Sequence, residues 1–133
     1  MIYALDSNVI SYALRKDKAI LDRIAEAARQ GNDIIIPPIA YYEVRRWLNV
    51  TGATSKERYF NELCGNAVAS LDVAALKKAA QIYADLHRKG RPTSDADILI
   101  AAFCIVNQCV LVTNNERHFS DIDELKKTNW VES

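Results

Sequence analysis

Hydrophobic residues recur along this chain with two spacings that take turns. Short apolar runs stand at residues 2–5 (IYAL), 33–38 (DIIIPP), 67–71 (AVASL) and 109–113 (CVLVT). They do not alternate with polar residues, which is the pattern of strands covered on both faces. The longer stretches between them carry apolar positions three and four residues apart, the spacing of one helical face. AILDRIAEAARQGN gathers Ile20, Ile24, Ala27 and Ala28 on one side and meets a stop at Gly31. PIAYYEVRRWLN follows Pro37 and Pro38, residues that suit a helix start. SKERYFNELCGN has Ser55 near its cap position and ends at Gly65. VAALKKAAQIYADLHRKG runs from Asp72, a good cap, to basic residues and Gly90, the order that the helix dipole favours. DADILIAAFCIVNQ is apolar almost all round, so it is expected to be the most buried helix. A last short strand is expected in TNW, around Trp130.

Strands alternating with helices form βαβ units, which build a parallel sheet with helices on both faces. The expected fold class is therefore α/β, a three-layer α/β/α sandwich with a mostly parallel central sheet. At 133 residues, with no repeat, low-complexity segment or Gly/Pro/Ser-rich linker, residues 1–133 read as a single domain. In such folds ligands bind beyond the carboxyl ends of the strands, where the strand order reverses. The positions projecting there are Asp6 after the first run, Pro37 and Pro38 leading into the helix with Glu43, Asp72 after the third run, and TNNERHF (113–119) after the fourth.

Composition narrows the chemistry. Lys plus Arg equal Asp plus Glu at 17 each, so no global basic field advertises nucleic acid and any such site is a local patch. Cys64, Cys104 and Cys109 are odd in number and form no C-x-x-C pair, and the two histidines are isolated. That argues against zinc and for a reducing cytoplasm. The N-terminal apolar run has no basic segment ahead of it and is cut by Asp6, so no signal peptide is expected, and no run is long enough to cross a bilayer. There is no G-x-G-x-x-G, no G-x-x-x-x-G-K-[ST] and no G-x-S-x-G, which turns the search away from dinucleotides, P-loop phosphates and serine nucleophiles. What remains is carboxylate chemistry.

Each acid has a bland reading. Asp6 can cap the helix that opens with Ser7 and Asn8. Glu43, followed by Arg45 and Arg46, can belong to a solvated charged face. Ser94 and Asp97 match a capping box, and Asp95 lies about 200° from Asp97 around a helix, so the two cannot share a face. Asp97 is assigned to the crevice because Ile98, Ala101 and Ala102 fix the buried side of its helix close by. Three acids around one crevice repel one another, raise each other's pKa and cost stability. Such a cluster is explained by a hard cation; Mg²⁺ is commonly held by one or two carboxylates plus a substrate phosphate.

The motifs LDSNVISYAL, the acid inside PPIAYYEVRRWL, GRPTSDADILIAAFCI and LVTNNERHFSDI, in this order over nearly the whole chain, give it a resemblance. It resembles the PIN-domain ribonucleases and, within them, the small VapC-type toxins of toxin–antitoxin pairs. The resemblance implies that Asp6, Glu43 and Asp97 bind Mg²⁺ or Mn²⁺ and that the loop Thr113–Asn115 lines the same pocket. Asn8 would hydrogen-bond the metal-binding carboxylates, where orientation matters. Many relatives carry a fourth acid where this chain has Asn115, which can orient a water but supplies no charge; Glu116 and Asp121 are the acids that could compensate. The implied reaction is hydrolysis of an RNA phosphodiester to a 5′-phosphate and a 3′-hydroxyl, with Glu43 binding the ion or orienting the attacking water. Arg15, Lys16, Arg45, Arg46, Arg88, Lys89 and Arg91 are the candidate RNA contacts. The implied partners are a cognate antitoxin, whose Arg or Lys would compete for the acids, and a second copy in a homodimer. A haloacid-dehalogenase-like phosphatase would want a second Asp where Asn8 stands. The other rival is a non-catalytic PIN-like binding module, which would tolerate loss of the acids.

Overall fold

A computed structural model describes residues 1–131. The elements are β1 (Ile2–Leu5), α1 (Ser7–Leu14), α2 (Lys18–Arg29), β2 (Asp33–Ile35), α3 (Pro38–Thr51), α4 (Thr54–Cys64), α5 (Val73–Arg88), α6 (Asp95–Val106), β3 (Val110–Val112) and β4 (Lys127–Thr128), with a 3-10 turn at Glu116–Phe119. The four strands form one sheet in the order β2-β1-β3-β4, every neighbouring pair parallel. The chain steps from β1 to one side, then returns past it to β3, so the order reverses between β1 and β3. Right-handed crossovers running in opposite directions put their helices on opposite faces, which yields the three layers. α3 starts where β2 ends and packs against both α1 and α6, tying the two helical layers together.

The apolar pattern explains the core. α6 buries Ile98, Ile100, Ala101, Ala102, Phe103 and Cys104, and is the most enclosed helix as its sequence predicts. Asp72 caps α5, its Oδ1 accepting from Ala75 N at 3.0 Å, and α3 closes on Gly52 at φ 63°, a conformation that costs glycine little. α2 buries Ile20 and Ala27 but leaves Ala28 in solvent. α4 begins at Thr54 with no side-chain cap, so Ser55 lies inside its first turn rather than at its cap.

One strand expectation is corrected and another shifts in position. Residues 67–71 form no strand: Val68 makes one parallel bridge to Ile36, with Ile36 N donating to Ala67 O and Ala69 N to Ile36 O, before the chain turns into α5. The run is only partly buried, and it meets the sheet beyond the end of β2, at Ile36, leaving the outer side of β2 itself without a partner strand among the described residues. Asp72 is thereby kept away from the reversal point and serves as a cap. The expected last strand forms at Lys127–Thr128, overlapping TNW at Thr128 only; Trp130 is buried against Tyr3, ring centroids 5.0 Å apart, and takes no part in the ladder.

Candidate active site

The register of the sheet assembles the first part of the site. Leu5 pairs with Val112 across β1 and β3, so Asp6 and Thr113, the residues that follow, emerge side by side at the reversal point. Asp6 N donates to Val112 O at 2.9 Å and extends the ladder by one bond. These two are the buried polar residues of the described chain, Asp6 at 3% exposure and Thr113 at 0%. Asp6 Oδ1 accepts from Ser7 N at 2.8 Å and so caps α1; Oδ2 accepts from the Thr113 hydroxyl at 2.7 Å and from Asn8 Nδ2 at 3.0 Å. The cap and the functional reading of Asp6 are therefore compatible. A carboxylate has about four lone-pair sites, and these three donors leave one on Oδ1 for another partner.

Asn8 and Thr113 lock this corner. Asn8 Oδ1 accepts from Asn114 N at 2.9 Å, joining the start of α1 to the loop after β3, and Thr113 Oγ1 accepts from Asn115 N at 3.0 Å. Burial pushes the Asp6 carboxyl above its ordinary pKa; the bonds from Thr113, Ser7 and Asn8 oppose that, and the charge of Asp97 adds to it.

Glu43 lies half-buried on α3. Its pKa is raised first by burial and further by repulsion from Asp6 and Asp97, while the Ser7 hydroxyl and Arg46 pull it down. The helix thus turns Glu43 toward the other acids rather than into a solvated ion pair. Arg45, its sequence neighbour, is committed elsewhere, to Glu57 at 3.5 Å and to the Tyr41 hydroxyl at 3.1 Å.

Asp97 stands in the first turn of α6, where its N–H donates to Ser94 Oγ at 3.2 Å. That is half of the expected capping box. The reciprocal bond suits the longer Glu or Gln; the shorter Asp97 side chain turns instead to His118, whose Nδ1 lies 3.4 Å from Oδ2. His118 is the residue that sequence reasoning missed. An isolated histidine carries no motif, and the one available signal is its place in TNNERHF beside an apolar Phe119 bound to be buried.

The sequence matches the PIN domain family over residues 3–125. The chain belongs to the PIN-domain family. Ribonuclease VapC2 of Rickettsia felis is 29% identical over 135 residues, covering 98% of each chain. Among solved structures, VapBC2 from Rickettsia felis bound to a DNA fragment from its promoter superposes with a TM-score of 0.89 at 25% identity, covering 98% of this chain and 100% of that one. DNA-bound VapBC from Salmonella typhimurium gives 0.81 at 26% identity, covering 98% and 99%.

The remaining candidates of this PIN domain separate by position. Asn115 is exposed at the start of the 3-10 turn, in a shallow depression shared with Asn114, Glu116, Arg117 and His118. Asp121 faces a different depression, lined by Asp85 and Leu86 of α5 and by Lys89 at its C-cap, and its carbonyl accepts from Lys89 Nζ at 3.4 Å. Arg15, Arg46 and Arg91 are exposed, Arg15 over the Tyr12 ring and Arg46 over Tyr42. Arg88 is paired with Asp85 and Lys89 with Asp123, while Lys16 lies over Tyr59. Among the described residues no helix is long and apolar enough to cross a membrane.

The donor set decides which ion these residues fit. Asp6, Glu43 and Asp97 offer only oxygen, the ligand of Mg²⁺ and Mn²⁺. Among the described residues no three Asp, Glu, His or Cys side chains converge closely enough to enclose an ion unaided. That is compatible with Mg²⁺, which keeps several of its waters, and incompatible with a closed zinc site. Burial raises the thiols of Cys64 (to about 11), Cys104 and Cys109, so in the metal-free protein they are buried neutral groups.

The raised pKa of Glu43 has a consequence for stability without metal. An acid whose folded pKa exceeds its unfolded value binds more protons folded than unfolded, so stability falls as pH rises upward from about 4.5, the ordinary Glu value. Glu43→Gln removes that dependence. Urea unfolding in EDTA is expected to show the variant gaining on the parent as pH rises through this window, with no change below it. A difference that stays flat would place Glu43 in solvent, and one that shrinks with pH would place it in a stabilising ion pair.

Proposed function

We propose that this PIN domain is a divalent-metal-dependent endoribonuclease, the toxin of a toxin–antitoxin pair, and that it hydrolyses RNA at the crevice of Asp6, Glu43 and Asp97. The observation that carries the reading is the mutual repulsion of these acids, from three separate elements, at the point where the strand order reverses. Repulsion of this kind opposes folding unless a cation relieves it. A divalent cation bound there would neutralise the carboxylates and stabilise charge developing on the phosphodiester.

The residues divide the work by how they are held. Asp6 is fixed by three donors and keeps one lone pair free, so it serves as the rigid ligand. Asp97 supplies the second carboxylate from α6. Glu43 orients the attacking water, and its burial, which raises its pKa, favours proton acceptance. Arg15, Arg46 and Arg91 are free to meet phosphates, contacts that position RNA without reading its sequence. Arg45, bound to Glu57, holds α3 against α4 and is dropped from that group. The proposed protein partners are a cognate antitoxin and a second copy of the chain. The support for an antitoxin is that the solved neighbours at 25–26% identity are VapBC complexes.

The test is cleavage of structured RNA by purified parent and Asp97→Asn, with Mg²⁺ or Mn²⁺ and with EDTA. Cleavage is expected only from the parent and only with metal. Equal cleavage by both proteins would identify a contaminating nuclease, and binding of RNA without cleavage at any metal concentration would leave a non-catalytic module.

A further inference from the structure

We propose that His118 is a positioning residue for the metal site, its Nδ1–H holding the Asp97 carboxylate at the orientation a divalent cation requires. The inference rests on the metal reading of the acids and goes beyond it by assigning a residue that no acidic motif contains. Helix α6 fixes the backbone of Asp97, and Ser94 fixes its N–H, but neither sets the rotation of the carboxylate. Asp97 is 22% exposed at its side chain, and His118 is the side-chain partner found for it among the described residues. Asp6 has Ser7, Asn8 and Thr113 for the same task.

The backbone of His118 is itself held. Its N–H donates to Asn115 O at 3.0 Å within the 3-10 turn, and the next residue, Phe119, is fully buried and anchors that turn in the core. At the other end of the same segment, Thr113 grips Asp6. Residues 113–119 therefore reach both acids, from β1 and from α6, and set the relation between them. The 3.4 Å between Nδ1 and Oδ2 is a close contact, longer than an ordinary N–H···O bond, and either a neutral imidazole protonated on Nδ1 or an imidazolium can donate across it. Partners of this kind, bonded to a ligand rather than to the ion, typically change metal affinity about 10- to 100-fold when removed. His118 is 57% exposed at its side chain, which places the expected effect at the low end of that range.

The experiment is direct titration of Mn²⁺, followed by the loss of the free-ion electron paramagnetic resonance signal, on parent, Asp97→Asn, His118→Ala, His118→Asn and His118→Gln. Asn carries its amide nitrogen on Cγ, where His carries Nδ1; Gln places its nitrogen farther out. His118→Ala and His118→Gln are expected to weaken Mn²⁺ by about 10-fold, and His118→Asn to stay within a few-fold of the parent. Thermal unfolding in EDTA is expected to be unchanged in all three His118 variants, since the side chain is exposed. Tight binding to His118→Ala, with binding lost in Asp97→Asn, would overturn the role of His118 and leave the metal reading standing. Failure of Asn to restore what Ala loses would overturn the donor role. Absence of Mn²⁺ binding to the parent would overturn both this inference and the metal reading beneath it.

Discussion

Asp6→Ala is expected to abolish RNA cleavage and to destabilise the metal-free protein by about 1–3 kcal/mol. Alanine removes the acceptor of three hydrogen bonds at once, leaving the buried Thr113 hydroxyl and the partly buried Ser7 N–H and Asn8 Nδ2 without it. It also removes the cap of α1, a loss of about 1 kcal/mol on its own. One effect opposes this. Burial raises the pKa of Asp6, so the ionised carboxylate is itself unfavourable in the fold. The folded parent holds its proton to a higher pH than the unfolded chain does, and its stability therefore declines as pH rises upward from about 3.8, the ordinary Asp value. Alanine has no such dependence, so the parent's advantage is expected to be largest at acid pH and to narrow toward neutrality. Asp6→Asn keeps one accepting oxygen and is expected to fall between the two in stability while losing cleavage as completely. Urea unfolding in EDTA at several pH values measures all three. An alanine variant more stable than the parent throughout would mean that the hydrogen bonds around Asp6 do not offset its burial.

That expectation turns on a residue whose two roles its sequence position leaves side by side. Asp6 after a first apolar run was legible as either cap or ligand, and the alternatives were never exclusive, because each oxygen of one carboxylate accepts separately. The burial of α6 and the cap at Asp72 were legible because both depend on local pattern: apolar residues on every side, and a carboxylate one residue ahead of a helix. The failures came where tertiary context decided. Residues 67–71 have a strand's composition, yet they touch the sheet edge through the single Val68–Ile36 bridge, and nothing local to the run sets how far such pairing extends. Arg45 and Arg46 look alike in sequence, yet Glu57 from another helix occupies the first and leaves the second beside Glu43. His118 carries no sequence signal because its neighbour Asp97 lies twenty-one residues away on α6, and tertiary packing alone brings the two within 3.4 Å.

Thr113→Val tests the other half of the same corner. Valine matches threonine in shape, so the core around residue 113 is preserved, and what disappears is a hydroxyl that donates to Asp6 Oδ2 at 2.7 Å while accepting from Asn115 N at 3.0 Å. The expected loss is about 1–3 kcal/mol, the usual consequence of stripping a partner from a buried charged acceptor. The direction with pH is fixed by the chemistry. The Thr113 bond is the largest influence holding the Asp6 pKa down against burial, so its removal lifts that pKa further. The cost of Thr113→Val should accordingly be least where Asp6 is protonated and grow as pH rises through the carboxylate range. RNA cleavage, which needs the ionised acid, should shift its acid limb to higher pH. Thr113→Ser, which keeps the hydroxyl, should show neither change. A double-mutant cycle separates the carboxylate from packing: residues in contact couple, so most of the valine penalty should vanish when Asp6 is already alanine. An equal penalty in both backgrounds would assign it to the lost bond with Asn115, and Asp6 would then owe its ionisation to Asn8, Ser7 and the cation alone.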